Sequence, residues 1–400
     1  MNFHNIKQVD LEAQKAAEEA AAKEAADRAA GIVKPEPEPA LDIADPSYRV
    51  INFSAGPATL PLEVLLVAQA EMLNFAGTGM SIMEMPASRP EIATLAQETE
   101  QLLREIMSIP DKYRVIFTAG DSAHHYDAVP LNLHRSGTAD YLISGYHAEQ
   151  AAKSAEKHLT VTQVATNADK GYTYVPAFNP SERADYYHLT PNNPVYGTAI
   201  NHLPETATPL VADMSSCILS QDYHVEKFGV IYASAQQQLG IAGLGVVIAR
   251  DNLLGKAKPE TPDMYNWASL AKPDNPHTPP VFALYIMNLY LHWVKSNGGL
   301  PIMEAQNRTK AELLYRIIDS SPLYKSYASK DARSLMNVTF SCGTPELDAK
   351  FIVEAEDKGL VGLKGFKTIG GLRASLYNAT SVEDVEALGR FMLAFEERNQ

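Results

Sequence analysis

The sequence predicts an α/β body, a mostly parallel sheet with helices on both faces, followed by a smaller α+β unit. Three observations carry that prediction. Short apolar runs alternate with segments of helical apolar spacing through the first part of the body. Polar or glycine-punctuated turns close the carboxyl ends of those runs, where open sheets of this kind collect ligands. After about residue 275 the alternation gives way to long helices bracketed by strands.

Composition bounds the function. Hydrophobic residues make up 46% and charged residues 20%, so most of the 400-residue chain is globular, and its length calls for two or three units. A formal charge of −14, with no Lys/Arg-rich cluster, argues against nucleic-acid or anionic-membrane surfaces. Cys217 and Cys342 give no disulfide framework and read as buried fillers. No apolar run reaches the roughly 20 residues of a membrane helix, and the acidic, alanine-rich start reads as neither signal nor transit peptide. The expectation is a soluble, cytoplasmic protein.

Residues 1–48 stand apart as a flexible extension. Asp10–Ala30 favours helix without an apolar stripe, and Pro35-Glu36-Pro37-Glu38-Pro39 is an extended spacer. The body divides into 49–275, the large α/β domain, and 276–400, a long helix with a small α+β domain. Val50–Phe53 is a short strand, Leu62–Leu73 and Glu91–Met107 are helices, and Tyr113–Thr118 is a strand running into a polar loop at 119–125. Ala128–Leu133 continues a helix behind that loop. Strands at Asp140–Ser144, Leu159–Thr166, Tyr186–Thr190 and Pro209–Met214 follow, with a helix over Ala148–His158. Phe228–Gly245 is the centre of the chain: strand Val230–Ala233, polar loop 234–238, a glycine turn, then strand Val246–Ala249. Val281–Val294 and Glu304–Ile318 are helices separated by Asn297-Gly298-Gly299, where helical spacing breaks. Strands at Leu335–Cys342 and Gly371–Tyr377 bracket a helix at Glu346–Lys358, and Val382–Asn399 closes the chain.

Several separated stretches resemble one family. They are Phe53–Pro61, Ser81-Ile82-Met83-Glu84, Ala128–Asn132, Ala212–Ser216, Gly229–Ala233, Thr278-Pro279-Pro280 and Gly370–Ala379. Together they are similar to the phosphoserine aminotransferases, class V enzymes of the fold type I pyridoxal-phosphate (PLP) group. The resemblance implies that fold over Ile51 to the C-terminus. It also implies a lysine in a Gln-Lys-Asn loop that forms the Schiff base with PLP and moves the α-proton. Here the triplet is Gln236-Gln237-Gln238, and an amide does neither.

Other positions depart in the same direction. The glycine-rich loop that ends in an arginine in the family is here Gly120-Asp121-Ser122-Ala123, an anion where a phosphate is gripped. A threonine after the Pro-Asn pair is Pro194, and the ring-stacking tryptophan is His147. The early His-Arg pair is Ala87-Ser88, with Arg89 one place later. The arginine of the Arg-Ser-Arg-Met-Asn stretch is Leu335, and the later His-Arg pair is Phe366-Lys367, a charge without a bidentate fork. Asp213 (pyridinium partner), Gln236, Thr278 and Arg373 (substrate carboxylate) are retained.

The resemblance therefore implies pocket positions Asp213, Gln236, Gln237, His147 and Thr278, with Arg89, Lys367 and Arg373 toward substrate. The function expected is that of a phosphoserine aminotransferase-like pseudoenzyme acting as a partner subunit. A PLP-independent enzyme on the same pocket and a surviving phosphoserine:2-oxoglutarate aminotransferase are the alternatives. His124, His125 and Asp121 are the acid–base candidates, with Cys217 near the pocket. Adjacent histidines make a poor metal clamp, so no metal is expected. No cofactor is expected, or PLP only as a weak or non-covalent ligand. Partners are a second copy of the chain or an active paralogue, with a small-molecule ligand possible.

Overall fold

A computed structural model of the protein describes residues 48–272 and 279–399. The N-terminal extension and its Pro-rich spacer lie outside the described residues. In chain order the elements are β1 (Ile51–Asn52), α1 (Leu62–Glu71), α2 (Pro90–Met107), β2 (Tyr113–Ala119), α3 (Ser122–Asn132), β3 (Thr138–Ile143) and α4 (Tyr146–Ala155). Next come β4 (Thr160–Thr166), β5 (Tyr187–Leu189), β6 (Leu210–Asp213), β7 (Val230–Ser234), the single turn α5 (Ala235–Gln238) and β8 (Leu244–Arg250). The remainder holds α6 (Val281–Ser296), α7 (Gly299–Ser320), β9 (Lys325–Ser326), β10 (Asn337–Ser341), α8 (Pro345–Glu356), β11 (Leu360–Val361), β12 (Leu372–Ser375) and α9 (Val382–Asn399).

Seven strands form one sheet in the order β2-β8-β7-β6-β5-β3-β4. Only β8 runs against its neighbours; the other pairings are parallel, which is the α/β sheet the sequence predicts. Alternate residues of its central strands serve opposite cores, as the period-2 pleat requires. Val230, Tyr232, Val247 and Ala249 pack on the side of α3 and α4, with Val129, Ala151 and Trp267. Ile231, Ala233, Val246 and Ile248 pack on the other side against Leu284, Met287 and Leu291 of α6. The long apolar helix thus completes the core of the large sheet, where Asn288 also donates to Thr99 Oγ1 of α2 at 3.2 Å. A further core joins α7, α8 and α9 to the antiparallel sheet β9-β10-β12 through Leu314, Phe340, Phe351, Leu388 and Phe395. Phe53 belongs to this core, because β1 pairs in parallel with β11 rather than with the large sheet. Among the described residues no helix is long and apolar enough to cross a membrane.

The polar loop expected at 119–125 is shorter than its sequence suggests. Asp121 caps a helix, its Oδ1 accepting from Ala123 N at 3.0 Å, and α3 begins at Ser122. The loop expected at 234–238 likewise closes into the turn of α5.

Candidate functional site

Parallel strands aim their carboxyl ends at one edge of the sheet, and four of them deliver the site there. β6 ends on Asp213, and β7 runs through Ser234 into α5. β2 passes through Gly120 into the Asp121 cap of α3. β3 passes through Ser144-Gly145 into α4, whose first residues are Tyr146 and His147. Glycine is required at 145, since a Cβ there would stand 2.5 Å from Asn193 Oδ1. A cavity of about 590 Å³ opens between these ends, lined by Asp121, Ser122, Tyr126, Tyr146, His147 and Gln236 among others.

The Asp213 carboxyl is buried behind the cavity wall, its charge acting on Tyr126 and His147 of that wall. Its Oδ1 accepts from Ser215 N at 3.0 Å and Ser215 Oγ at 2.6 Å. With its proton committed to Asp213, Ser215 Oγ accepts from Ser234 N at 3.0 Å and from the Ser122 hydroxyl at 2.8 Å. Burial raises the Asp213 pKa above the ordinary carboxyl value, against the Ser215 bonds and the neighbouring His147. Burial lowers that of His147, with Asp213 pulling it up and Arg373 pushing it down. His147 Nδ1 lies 3.0 Å from the Tyr126 hydroxyl. Asp213 and His147 thus act on each other's proton affinity.

The three glutamines have separate tasks. Gln236 lines the cavity, and its backbone carbonyl accepts from Ala58 N at 2.9 Å. Gln237 turns back, its Nε2 donating to Ala55 O at 3.2 Å, while its Oε1 is buried without a hydrogen-bond partner. Gln238 is fully buried: its Nε2 reaches Met336 Sδ at 3.0 Å and its Oε1 accepts from Asn378 N at 3.1 Å.

Of the acid–base candidates, only Asp121 lines the cavity. His124 stacks on the Tyr265 ring at 4.4 Å. His125 is fully buried on the inner face of α3 beside Tyr232, and burial pushes its pKa down to about 3. Neither histidine lines the cavity, because the segment is helical and turns them toward Tyr265 and the core. Cys217 is buried too, its thiol pushed up to about 12. Arg89 is held by Glu91, Nε to Oε2 at 3.1 Å and Nη2 to Oε1 at 2.7 Å. Lys367 lines a different groove, of about 840 Å³, between β10, β12 and α8. Arg373 reaches the site: its Nη1 donates to Pro194 O at 3.0 Å, and its charge acts on His147. Thr278 lies outside the described residues. Tyr126, Tyr146, Ser122 and Ser215 were not singled out in the sequence; an aromatic residue one helical turn beyond the Asp121 cap was the available signal for Tyr126.

A family model for aminotransferase class-V matches residues 50–388. The chain belongs to that family. Among class-V relatives it is similar to a Bacillus cereus phosphoserine aminotransferase, 43% identical over 358 residues that cover 88% of this chain and 99% of the relative. The solved phosphoserine aminotransferase of Bacillus circulans subsp. alkalophilus superposes with a TM-score of 0.85 at 37% identity, covering 88% of this chain and 99% of that one. A PLP-bound phosphoserine aminotransferase from Trichomonas vaginalis superposes with a TM-score of 0.83 at 34% identity, covering 86% of this chain and 100% of that one.

These relatives overturn the expectation of no cofactor, or of PLP as only a weak or non-covalent ligand. PLP is the group this class-V pocket must be measured against. Two features fit a pyridine ring: the flat His147 imidazole on the wall and, behind it, the buried Asp213 carboxyl, whose charge acts on His147. At the rim the N-terminus of α3 suits a phosphate, although the Asp121 carboxylate already occupies its cap.

Proposed function

We propose that this class-V chain is a phosphoserine aminotransferase-like protein that takes PLP in the cavity in front of Asp213 and lacks the transamination step. One observation carries the reading: in the turn α5 that follows β7 stands the amide of Gln237, its Nε2 directed at Ala55 O. Asp213 would hold the ring nitrogen, His147 the ring face, and Gln236 and Ser122 the edges. When bound, PLP supplies an electron sink for charge developed at a substrate's α-carbon. Moving the α-proton needs a base within reach, and Gln237 neither accepts nor returns one near neutral pH. The cavity's lysines are engaged elsewhere, Lys153 Nζ on Glu149 at 2.6 Å and Lys157 Nζ 3.8 Å from Asp127.

Such a chain acts as a subunit, paired with a second copy or with an active relative, in the cytoplasm. Leu62, Leu66, Leu73 and Met83 are exposed on and beside α1, a patch suited to an apolar partner surface. A surviving aminotransferase is the second reading, favoured by 43% identity to a Bacillus cereus phosphoserine aminotransferase.

Turnover of phosphoserine with 2-oxoglutarate, at saturating PLP, decides between them. The wild-type rate is expected at least about 10²-fold below that of an active relative, the usual worth of a positioned general base. Gln237→Lys is expected to raise it. A wild-type rate equal to an active relative's would establish the second reading.

A further inference from the structure

Three imidazoles lie at or beneath the cavity, and they differ at Nδ1. In His125 and His188 that atom is buried without a partner. In His147, the one imidazole lining the cavity among the described residues, it lies 3.0 Å from the Tyr126 hydroxyl. Tyr126 lines the cavity as well, yet it is largely buried and shares one core with Val129, Ala151 and Tyr232. The Tyr146 ring stands edge-on to His147 at 5.4 Å, so the imidazole is held at two points.

The chemistry fixes the direction of the Tyr126–His147 bond. The phenol has one hydrogen and, among the described residues, one side chain to give it to. Were Nδ1 to carry the hydrogen instead, the phenol hydrogen would be buried without an acceptor, the costlier arrangement. The phenol does not ionise, since burial, with Asp213 and Asp121 close by, raises its pKa above the ordinary value. The imidazole is neutral near pH 7 too. Burial lowers its pKa and Arg373 pushes it further down, against the pull of Asp213 and Asp121. A neutral imidazole that accepts at Nδ1 carries its hydrogen on Nε2.

We propose that Tyr126 is a positioning residue: its hydroxyl occupies the Nδ1 lone pair of His147 and presents that ring to the cavity as a fixed, neutral surface rather than a base. Nε2–H is then a donor, and no lone pair of the imidazole remains to take a proton from a ligand. A neutral ring suits the ligand read above, because an imidazolium would repel a pyridine ring whose protonated nitrogen Asp213 would hold. That consequence for PLP rests on the reading of this cavity as its site; the state of His147 does not.

Two measurements on the full chain test it. The first is NMR of the imidazole nitrogens in protein without added PLP, with His147→Phe assigning the signal. His147 is expected with Nε2 protonated and Nδ1 bare, and Tyr126→Phe is expected to shift the Nδ1 resonance. The second is PLP affinity, read as quenching of protein fluorescence. Tyr126→Phe is expected to weaken it about fivefold, the worth of one net hydrogen bond. In a His147→Phe background the same change is expected to do nothing, because Tyr126 acts through the imidazole. A hydrogen on Nδ1 would overturn the proposal, as would an unmoved Nδ1 resonance in Tyr126→Phe. Equal losses of PLP affinity in both backgrounds, or none in either, would do the same. If PLP binds no variant, the proposed function falls, and the nitrogen spectra alone decide the role of Tyr126.

Discussion

Two buried polar clusters lie within one body, and they treat their hydrogen bonds differently. At the junction between β10 and the β5 end, Asn192 donates to Asn337 Oδ1 at 2.9 Å and to Ser216 Oγ at 2.8 Å, while its own Oδ1 accepts from Ser334 Oγ at 2.5 Å. Asn337 passes the chain on to Ser375 Oγ at 3.0 Å and Tyr377 OH at 3.2 Å, and Tyr377 ends it on Ala55 O at 3.0 Å. Every side-chain polar atom of those two asparagines has a partner. A few residues away, Gln237 Oε1 and Arg373 Nε have none. Fully satisfied networks specify one structure, whereas each orphaned buried atom costs stability. The two junction asparagines are pinned on every polar atom, whereas Gln237 and Arg373 each keep one buried atom unpaired.

That contrast can be broken by mutation. Asn337→Ala strands several buried partners at once and is expected to lower stability by about 4 kcal/mol, at roughly 1–3 kcal/mol for each group left unpaired. Denaturant unfolding would measure it, and a loss no larger than that of Gln237→Ala would erase the distinction. Beneath the site, His125 and His188 each carry a buried Nδ1 without a partner, and burial holds both pKa values near 3 against an ordinary 6.5. The unfolded chain takes up these protons first, so stability is full above pH 6.5 and falls as pH drops toward 3. The expected slope is about 1.4 kcal/mol per pH unit for each imidazole. Unfolding midpoints between pH 7 and 5 should show it, and the double change His125→Gln, His188→Gln should flatten it.

Smaller effects sharpen the comparison. Gly245 lets β8 pass α3: a Cβ there would stand 2.5 Å from His125 Nε2 and 2.6 Å from Thr118 Oγ1. Gly245→Ala is expected to cost about 2 kcal/mol by overpacking, read as a lower thermal midpoint. Gln237→Ala removes one orphan and one long bond, and its effect on stability should stay within about 1 kcal/mol.

The large sheet was legible because its central strands are short apolar runs buried on both faces, and the helices because their apolar spacing is regular. Asp213, Gln236, Gln237 and His147 were read from the family's motifs, and the structure puts Gln236 and His147 on the cavity wall. Tyr126, Ser122 and Ser215 were not, since their roles arise from three chain segments converging at one sheet edge. His124 and His125 were read as loop residues although Asp121 caps a helix there, and capping by one aspartate is a weak signal beside a run of polar residues. The destination of β1 was not visible at all, because two residues carry no record of their partner.

That partnership bears on how the chain is made. Ile51, at the start of the described body, pairs with Leu360, and Phe53 waits for a core whose other members begin at Ala311. One side of the large sheet lacks the Leu284, Met287 and Leu291 part of its core until α6 has left the ribosome. Contacts of such long sequence separation form late and slowly. During synthesis the protein therefore presents an unfinished hydrophobic face for most of its length. A premature stop before residue 360 should leave an aggregation-prone fragment rather than a smaller working domain.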